Sequence, residues 1–283
     1  MSIRIITDSG ADIPQGLRDD LTILPMHVYF GEQEFLDGVN LSHRQFYELL
    51  IESEELPKTS QIPPYEFEQV FEQAVAAGEQ VVAVTISGKL SGTYQSACVA
   101  AEDYEGKVFV VDSLNATLGE RCLVDYALWL KDQGKTAEEI AAELKRTRKR
   151  IRLLALLDTL EYLKKGGRIS KSVAMVGGML SIKPVISVVD GEVVMVGKAR
   201  GSRNGNNLLV QEIQKAGGVD YTMPYYLGYT GLDDHMLQKY VEDSRALWEA
   251  HVDHLDATSV GGTIGTHIGP GAIGVFFFAA DES

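Results

Sequence analysis

The feature that most restricts this chain is a repeat running through its first half. Short, continuously apolar, β-branched runs alternate there with stretches of helical periodicity. Residues 3–7, 81–86, 107–111 and 151–157 each read as a strand covered on both faces, and residues 21–30 as a further strand. Between them, Ser42 opens a helix with Gln45 three residues on, a capping box, and Phe46, Leu49 and Leu50 form its apolar stripe. A second helix follows Pro63-Pro64 and stops at Gly78, and residues 93–103 give a third. Two more precede residue 151, the later one opened by the Thr136–Glu139 capping box. Repeated βα units dictate a parallel sheet with helices on both faces.

The second half changes character. Residues 184–189 and 192–197 are β-branched runs joined at Asp190-Gly191, which reads as a hairpin. A helix runs from Gly201 to Gly217-Gly218, and residues 221–230 read as an edge strand because Pro224 lies inside the run. Residues 233–250 read as helix and 272–279 as a last strand. The expectation is an α/β protein of two domains: an N-terminal parallel-sheet α/β domain, residues 1–158, and a C-terminal α+β domain with a mixed sheet, residues 159–283.

Charge and cysteine content narrow the function classes. The 26 Lys and Arg stand against 40 Asp and Glu, a formal charge of −14, which disfavours general nucleic-acid binding. Residues 145–203 run the other way, with 14 basic against four acidic residues, as suits one anionic ligand or a partner's anionic site. For residues 145–152 alone, the solvated end of a helix is the favoured reading. Cys98 and Cys122 cannot make a disulfide scaffold, and the chain shows no export signal and no apolar run long enough to span a bilayer. A cytoplasmic protein is expected.

Several motif matches fail on context. Gly269–Gly274 spells G-x-G-x-x-G but is followed by a strand rather than the helix a dinucleotide fingerprint needs. Gly134-Lys135-Thr136 lacks the upstream glycine of a phosphate loop. Ser91 misses the spacing of a nucleophile elbow by one residue, and His251 and His254 lack a third metal ligand. What survives is a set of hydroxyls where predicted strands give way to helices: Ser9, Thr59, Ser60, Ser87 and Ser91. The carboxyl edge of a parallel sheet is where ligands bind, and unpaired helix N–H groups there suit a carboxylate or phosphate. Gly92 would let an anion approach the backbone. Glycine-flanked Arg168 and Arg200, with His267, form a second set.

Asp8-Ser9-Gly10-Ala11-Asp12, Pro57-Lys58-Thr59-Ser60-Gln61, Lys89 to Ala97, Val111-Asp112-Ser113, Leu163 to Ser170 and His267-Ile268-Gly269-Pro270-Gly271 together resemble the DegV family over nearly the whole chain. The resemblance implies two α/β domains clasping one long-chain fatty acid, such as palmitate or oleate, with no other cofactor and no metal. It implies a lipid-binding subunit, without catalysis of its own, that presents the acid to an ATP-dependent fatty acid kinase for acyl-phosphate formation in phospholipid synthesis. By motif, Thr59 and Ser91 would bind the carboxylate with His267 close by, while Arg168 and Arg200 would face the partner or the phosphoryl group. Ile62, an extra residue after Gln61, and Ser202 to Asn207, in place of a Lys-rich helix start, depart from the family pattern. Two alternatives stand beside this: a serine hydrolase using Ser91, His267 and Asp112, and a phosphoryl-transfer enzyme acting alone.

Overall fold

A computed structural model describes residues 2–170 and 182–280; Lys171, part of the basic stretch, lies outside them. The first half contains β1 (Ile3–Asp8), β2 (Leu21–Leu24), β3 (His27–Phe30), β4 (Gln33–Leu36), α1 (His43–Glu52), β5 (Lys58–Ser60), α2 (Pro64–Ala76), β6 (Gln80–Thr85), α3 (Thr93–Ala100), β7 (Val108–Asp112), α4 (Thr117–Asp132), α5 (Ala137–Thr147) and β8 (Ile151–Leu156). There follow α6 (Glu161–Lys165), β9 (Ile182–Val189), β10 (Glu192–Arg200), α7 (Ser202–Lys215), β11 (Tyr225–Tyr229), α8 (His235–Asp243), α9 (Arg245–Trp248), β12 (Ala257–Ser259), α10 (Gly262–Ile268) and β13 (Ile273–Phe278).

The expected parallel sheet has the order β2-β1-β6-β7. Its strands are apolar on both faces because both are covered: Ile6, Val81 and Ala83 join the core of α2 and α3, whereas Ile5, Val82 and Val84 join that of α4 and α5. Both capping boxes form, Ser42 with Gln45 and Thr136 with Glu139. The run at 21–30 breaks at Pro25 into two strands. The second, β3, leaves the parallel sheet for a small antiparallel one, β4-β3-β5, which the sequence did not suggest.

The second sheet is mixed, with order β10-β9-β8-β13-β11-β12. The Asp190-Gly191 hairpin forms with φ of +48° and +86° at its two turn residues. Two sequence expectations are corrected here. Residues 151–156, expected to close the parallel domain before a boundary at 158, instead form β8 in the middle of the second sheet, antiparallel to β9 and β13. An apolar run of six residues fits a central strand of either sheet, so the pattern alone could not separate them. Residues 221–230 do not form an edge strand: Pro224 precedes β11, which lies between β13 and β12.

Alternation along β8 divides the second sheet's two faces. Leu154 and Leu156 pack toward the layer of α7 and α8, while Leu153 and Ala155 face the rest of the protein. Helix α4 fills the space between the sheets, touching β1 and β6 on one side and β8, β11 and β13 on the other. The basic stretch is more than a solvated helix end. Arg148 donates to the Asp112 carbonyl at 2.6 Å, and Arg150 to Asp220 and the Ala279 carbonyl, both at 2.9 Å. These bonds fasten the end of α5 to strands of both sheets.

Candidate functional site: a cavity between the two sheets

A cavity of about 910 Å3, counting the part open to solvent, lies between the inward face of the second sheet and the carboxyl edge of the first. Ala155 and its register partner Ile186 line it side by side, with Leu153 and Val188 next along the same face. Further across, Gly274 and Gly228 leave room for the Phe276 ring, which a Cβ at either position would meet within 3.1 Å. Helix α10 contributes Ile264 and Ile268, and Leu90 and Leu163 add further apolar surface. The polar residues of this lining include Thr59, Ser60, Gln61, Ser91, Arg168 and His267, and also Thr117, Tyr229, Thr230 and Thr263.

Thr59 and His267 lie 208 positions apart and meet: Thr59 Oγ1 and His267 Nε2 are 2.9 Å from each other. Strand β5 supplies the first and α10 the second. Nδ1 of the imidazole is buried with no partner among the described residues; in the Nε2–H tautomer the ring donates to Thr59 and Nδ1 is left as a bare acceptor rather than as a buried N–H. Thr59 then keeps its own proton for a further acceptor. Ser91 is arranged similarly. Its Oγ accepts from the Thr93 N–H at 3.3 Å and lies 3.0 Å from Thr93 Oγ1, which itself accepts from the Ile62 N–H at 3.3 Å. Donation from Thr93 to Ser91 leaves the Ser91 proton unspent. With these donor directions both hydroxyls can donate into the one cavity they line, which is what an anionic head group requires.

Ile62 follows Gln61 in the connection from β5 to α2. It is fully buried in the core of α2 and α3, and its backbone is the donor that orients Thr93. Gly92 plays a different part from the one expected: a Cβ there would fall 1.8 Å from Gln61 Oε1, so the glycine makes room for a side chain rather than for an anion. Ser9 and Ser87 are also structural. Ser9 Oγ accepts from the Met26 N–H, and Ser87 donates to the Gly191 carbonyl at 2.8 Å, docking the hairpin turn. Gln61 and Thr93 were missed by sequence reasoning, although Gln61 stands in the same motif as Thr59.

Arg168 lines the cavity, and its Nε donates to the Leu90 carbonyl at 3.1 Å while Nη1 reaches the Gly166 carbonyl. The guanidinium therefore braces the loop after α6 against the Ser91 loop. Arg200 is not brought to the cavity: it is exposed at the end of β10, opposite Ile182. The triad of the hydrolase alternative is not assembled. Asp112 accepts from the backbone of Gly88 and Leu114 and does not line the cavity, and the His267 ring bonds Thr59 rather than Ser91. Among the described residues no helix is long and apolar enough to cross a membrane, and no cluster of three or more His, Cys, Asp or Glu could hold a metal ion.

Burial, reinforced by the nearby Arg168 charge, lowers the His267 pKa from 6.5 to about 4, so the ring is neutral at physiological pH. As pH falls from 6.5 toward 4, the unfolded chain takes up this proton before the folded one, and the stability contributed by the neutral ring is lost. Burial raises Asp8 to about 7 and Asp12 to about 6, and these carboxyls act in the opposite sense, stabilising the fold as pH falls. Comparison with His267→Gln isolates the imidazole. Relative to the wild type, the variant should gain on the order of 3 kcal/mol between pH 7 and pH 4, read by urea unfolding at each pH. An unchanged difference across that range would contradict a buried neutral ring.

Fold and site together define a two-sheet α/β protein built around one largely apolar cavity with a local cluster of hydrogen-bond donors. The chain belongs to the DegV family: the family model described as "Uncharacterised protein, DegV family COG1307" matches residues 2–280. A DegV domain-containing protein of Caldanaerobacter subterraneus is 34% identical over 278 residues, covering 97% of this chain and 98% of that one. Among solved structures, a DegV family protein from Thermus thermophilus described for its fatty acid binding superposes with a TM-score of 0.87 at 31% identity, covering 99% of this chain and 100% of that one. The fatty acid kinase (Fak) B3 protein of Streptococcus pneumoniae, loaded with linoleic acid, gives 0.85 at 26% identity, with coverage of 99% and 100%. A stearic acid-binding protein from Eubacterium ventriosum gives 0.85 at 28%, with coverage of 98% and 97%.

Proposed function

We propose that this protein binds one long-chain fatty acid in the cavity and presents its carboxylate to a partner kinase for conversion to the acyl phosphate. The observation that carries the reading is the pairing of Thr59 Oγ1 with His267 Nε2 in the lining of a largely apolar cavity that Ser91 also lines. Thr59 and Ser91 each offer a hydroxyl proton to the carboxylate, and the neutral imidazole holds Thr59 in place. The fatty-acid binding described for the Thermus and Eubacterium proteins and the linoleic acid loaded into the Streptococcus protein support the ligand class, and the kinase in the streptococcal protein's name supports the partner.

Magnitudes divide the labour. Burying a dozen methylenes contributes on the order of 10 kcal/mol gross at roughly 0.8 kcal/mol each, before the cost of association. A charge-assisted hydrogen bond adds roughly 1.5–3 kcal/mol. The tail therefore supplies affinity and the hydroxyls fix where the reactive oxygens lie. Arg168 places positive charge beside the head group, and Arg200, exposed on β10, is assigned to the partner's surface. Binding alone requires no catalytic group here; phosphoryl transfer is assigned to the kinase.

Native mass spectrometry of protein incubated with palmitate or oleate tests the reading. One added fatty acid per chain is expected, and no uptake of either acid would overturn it.

A further inference from the structure

Helix α10 delivers His267 to the head-group position, yet its sequence is a poor helix. Its seven residues include Gly262 and Gly265, Gly261 precedes it, and no side chain of its own caps its first turn. The glycines are required by close approach. A Cβ at Gly261 would lie 2.8 Å from His43 Nε2 and 2.9 Å from Asp12 Oδ1. One at Gly262 would lie 2.9 Å from the Phe46 ring, and one at Gly265 would lie 2.6 Å from that ring and 2.8 Å from the Tyr47 hydroxyl. The helix is therefore pressed against α1 and the loops of the first half, and gives up intrinsic helix stability to reach them.

Its orphan first-turn N–H groups find acceptors there too. Asp12 Oδ1 accepts from the Gly261 N–H at 2.7 Å, Asp37 Oδ1 from Gly262 at 3.0 Å, and Asp37 Oδ2 from Thr263 at 3.0 Å. Both carboxylates are almost wholly buried, and each is held from behind: Thr117 donates to Asp12 at 2.5 Å, and Ser9 donates to Asp37 at 3.4 Å. The Tyr47 hydroxyl donates to the Val260 carbonyl at 3.0 Å, fixing the residue just before. Three consecutive N–H groups from near the end of the chain thus rest on two carboxylates from its first 40 residues.

We infer that Asp12 and Asp37 are positioning residues for the fatty-acid head group: they anchor the start of α10 and so fix where His267 meets Thr59. This rests on the fatty-acid reading above. Neither carboxylate touches the ligand in this account. Their effect passes along one short helix to the imidazole, so it should discriminate between ligands by head group and not by tail.

The test compares wild type, Asp37→Asn and Asp12→Asn for binding of palmitate and of 1-hexadecanol, which keeps the tail and lacks the carboxylate. Nitrogen-15 NMR of the His267 ring is recorded on each. The inference predicts palmitate binding weakened about tenfold in Asp37→Asn, which must lose one of two acceptors, and about threefold in Asp12→Asn, with hexadecanol weakened less than about twofold and the His267 ring signals displaced in both. Unchanged palmitate affinity, or a parallel loss for both ligands, would overturn it. If Asp37→Asn does not fold, Asp12→Asn decides by the same readings, since its amide oxygen can still accept from Gly261. Wild type that binds neither ligand would instead refute the fatty-acid reading itself, and the inference with it.

Discussion

Ala155→Phe should abolish retention of palmitate while leaving the protein folded. Ala155 sits on the cavity face of β8, between Ile186 on β9 and Gly274 on β13. A phenyl ring there occupies space that the acyl chain would take. Denying burial to even half a dozen methylenes removes about 5 kcal/mol gross, on the order of a thousandfold in affinity. Because the ring fills existing space, unfolding should remain cooperative. Isothermal titration with palmitate and with 1-hexadecanol checks the effect, and both ligands should be lost together because the obstruction lies in the tail's path. Wild-type affinity in a folded Ala155→Phe protein would show that the acid lies elsewhere.

Ser91→Ala should have a large effect of another kind. The tail still enters, so affinity falls only about tenfold to a hundredfold for the loss of one charge-assisted hydrogen bond of roughly 1.5–3 kcal/mol. Acyl-phosphate formation per bound lipid should fall about a hundredfold, because a carboxylate displaced by an ångström no longer presents its oxygen in line with the transferred phosphoryl group. Retention by native mass spectrometry and acyl phosphate formed with an ATP-dependent fatty acid kinase subunit give the two numbers. Loss of retention with unchanged turnover per bound lipid would reverse the assigned division between head and tail. Thr93→Val supplies a softer variant, since it removes the hydroxyl that orients Ser91 and leaves Ser91 in place.

The parallel sheet was legible because doubly buried strands leave a continuous apolar signature, and the capping boxes at Ser42 and Thr136 are local chemistry that needs no tertiary context. Strand β8 carried the same signature into the wrong sheet, since apolar continuity reports burial and not the direction of neighbouring strands. Helix α10 was illegible for a physical reason: glycines at 261, 262 and 265 depress helix propensity, and the helix exists because Asp12, Asp37 and α1 hold it. The candidate site divides in the same way. Thr59, Ser91 and His267 could be singled out from motifs, but their convergence depends on contacts 208 residues apart in sequence. Arg168 and Arg200 looked equivalent as glycine-flanked cations, yet one braces the cavity loop and the other stands exposed at the end of β10. The tail's path left no sequence mark at all, because Ala155 and Ile186 become neighbours only through the register of β8 on β9.

A crystal structure of the palmitate complex tests the central claim most directly. The account predicts carboxylate oxygens within hydrogen-bond reach of both Thr59 Oγ1 and Ser91 Oγ, with the acyl chain running over Ala155 and Ile186. Palmitate bound outside the cavity, or inserted with its methyl end at the two hydroxyls, would contradict it.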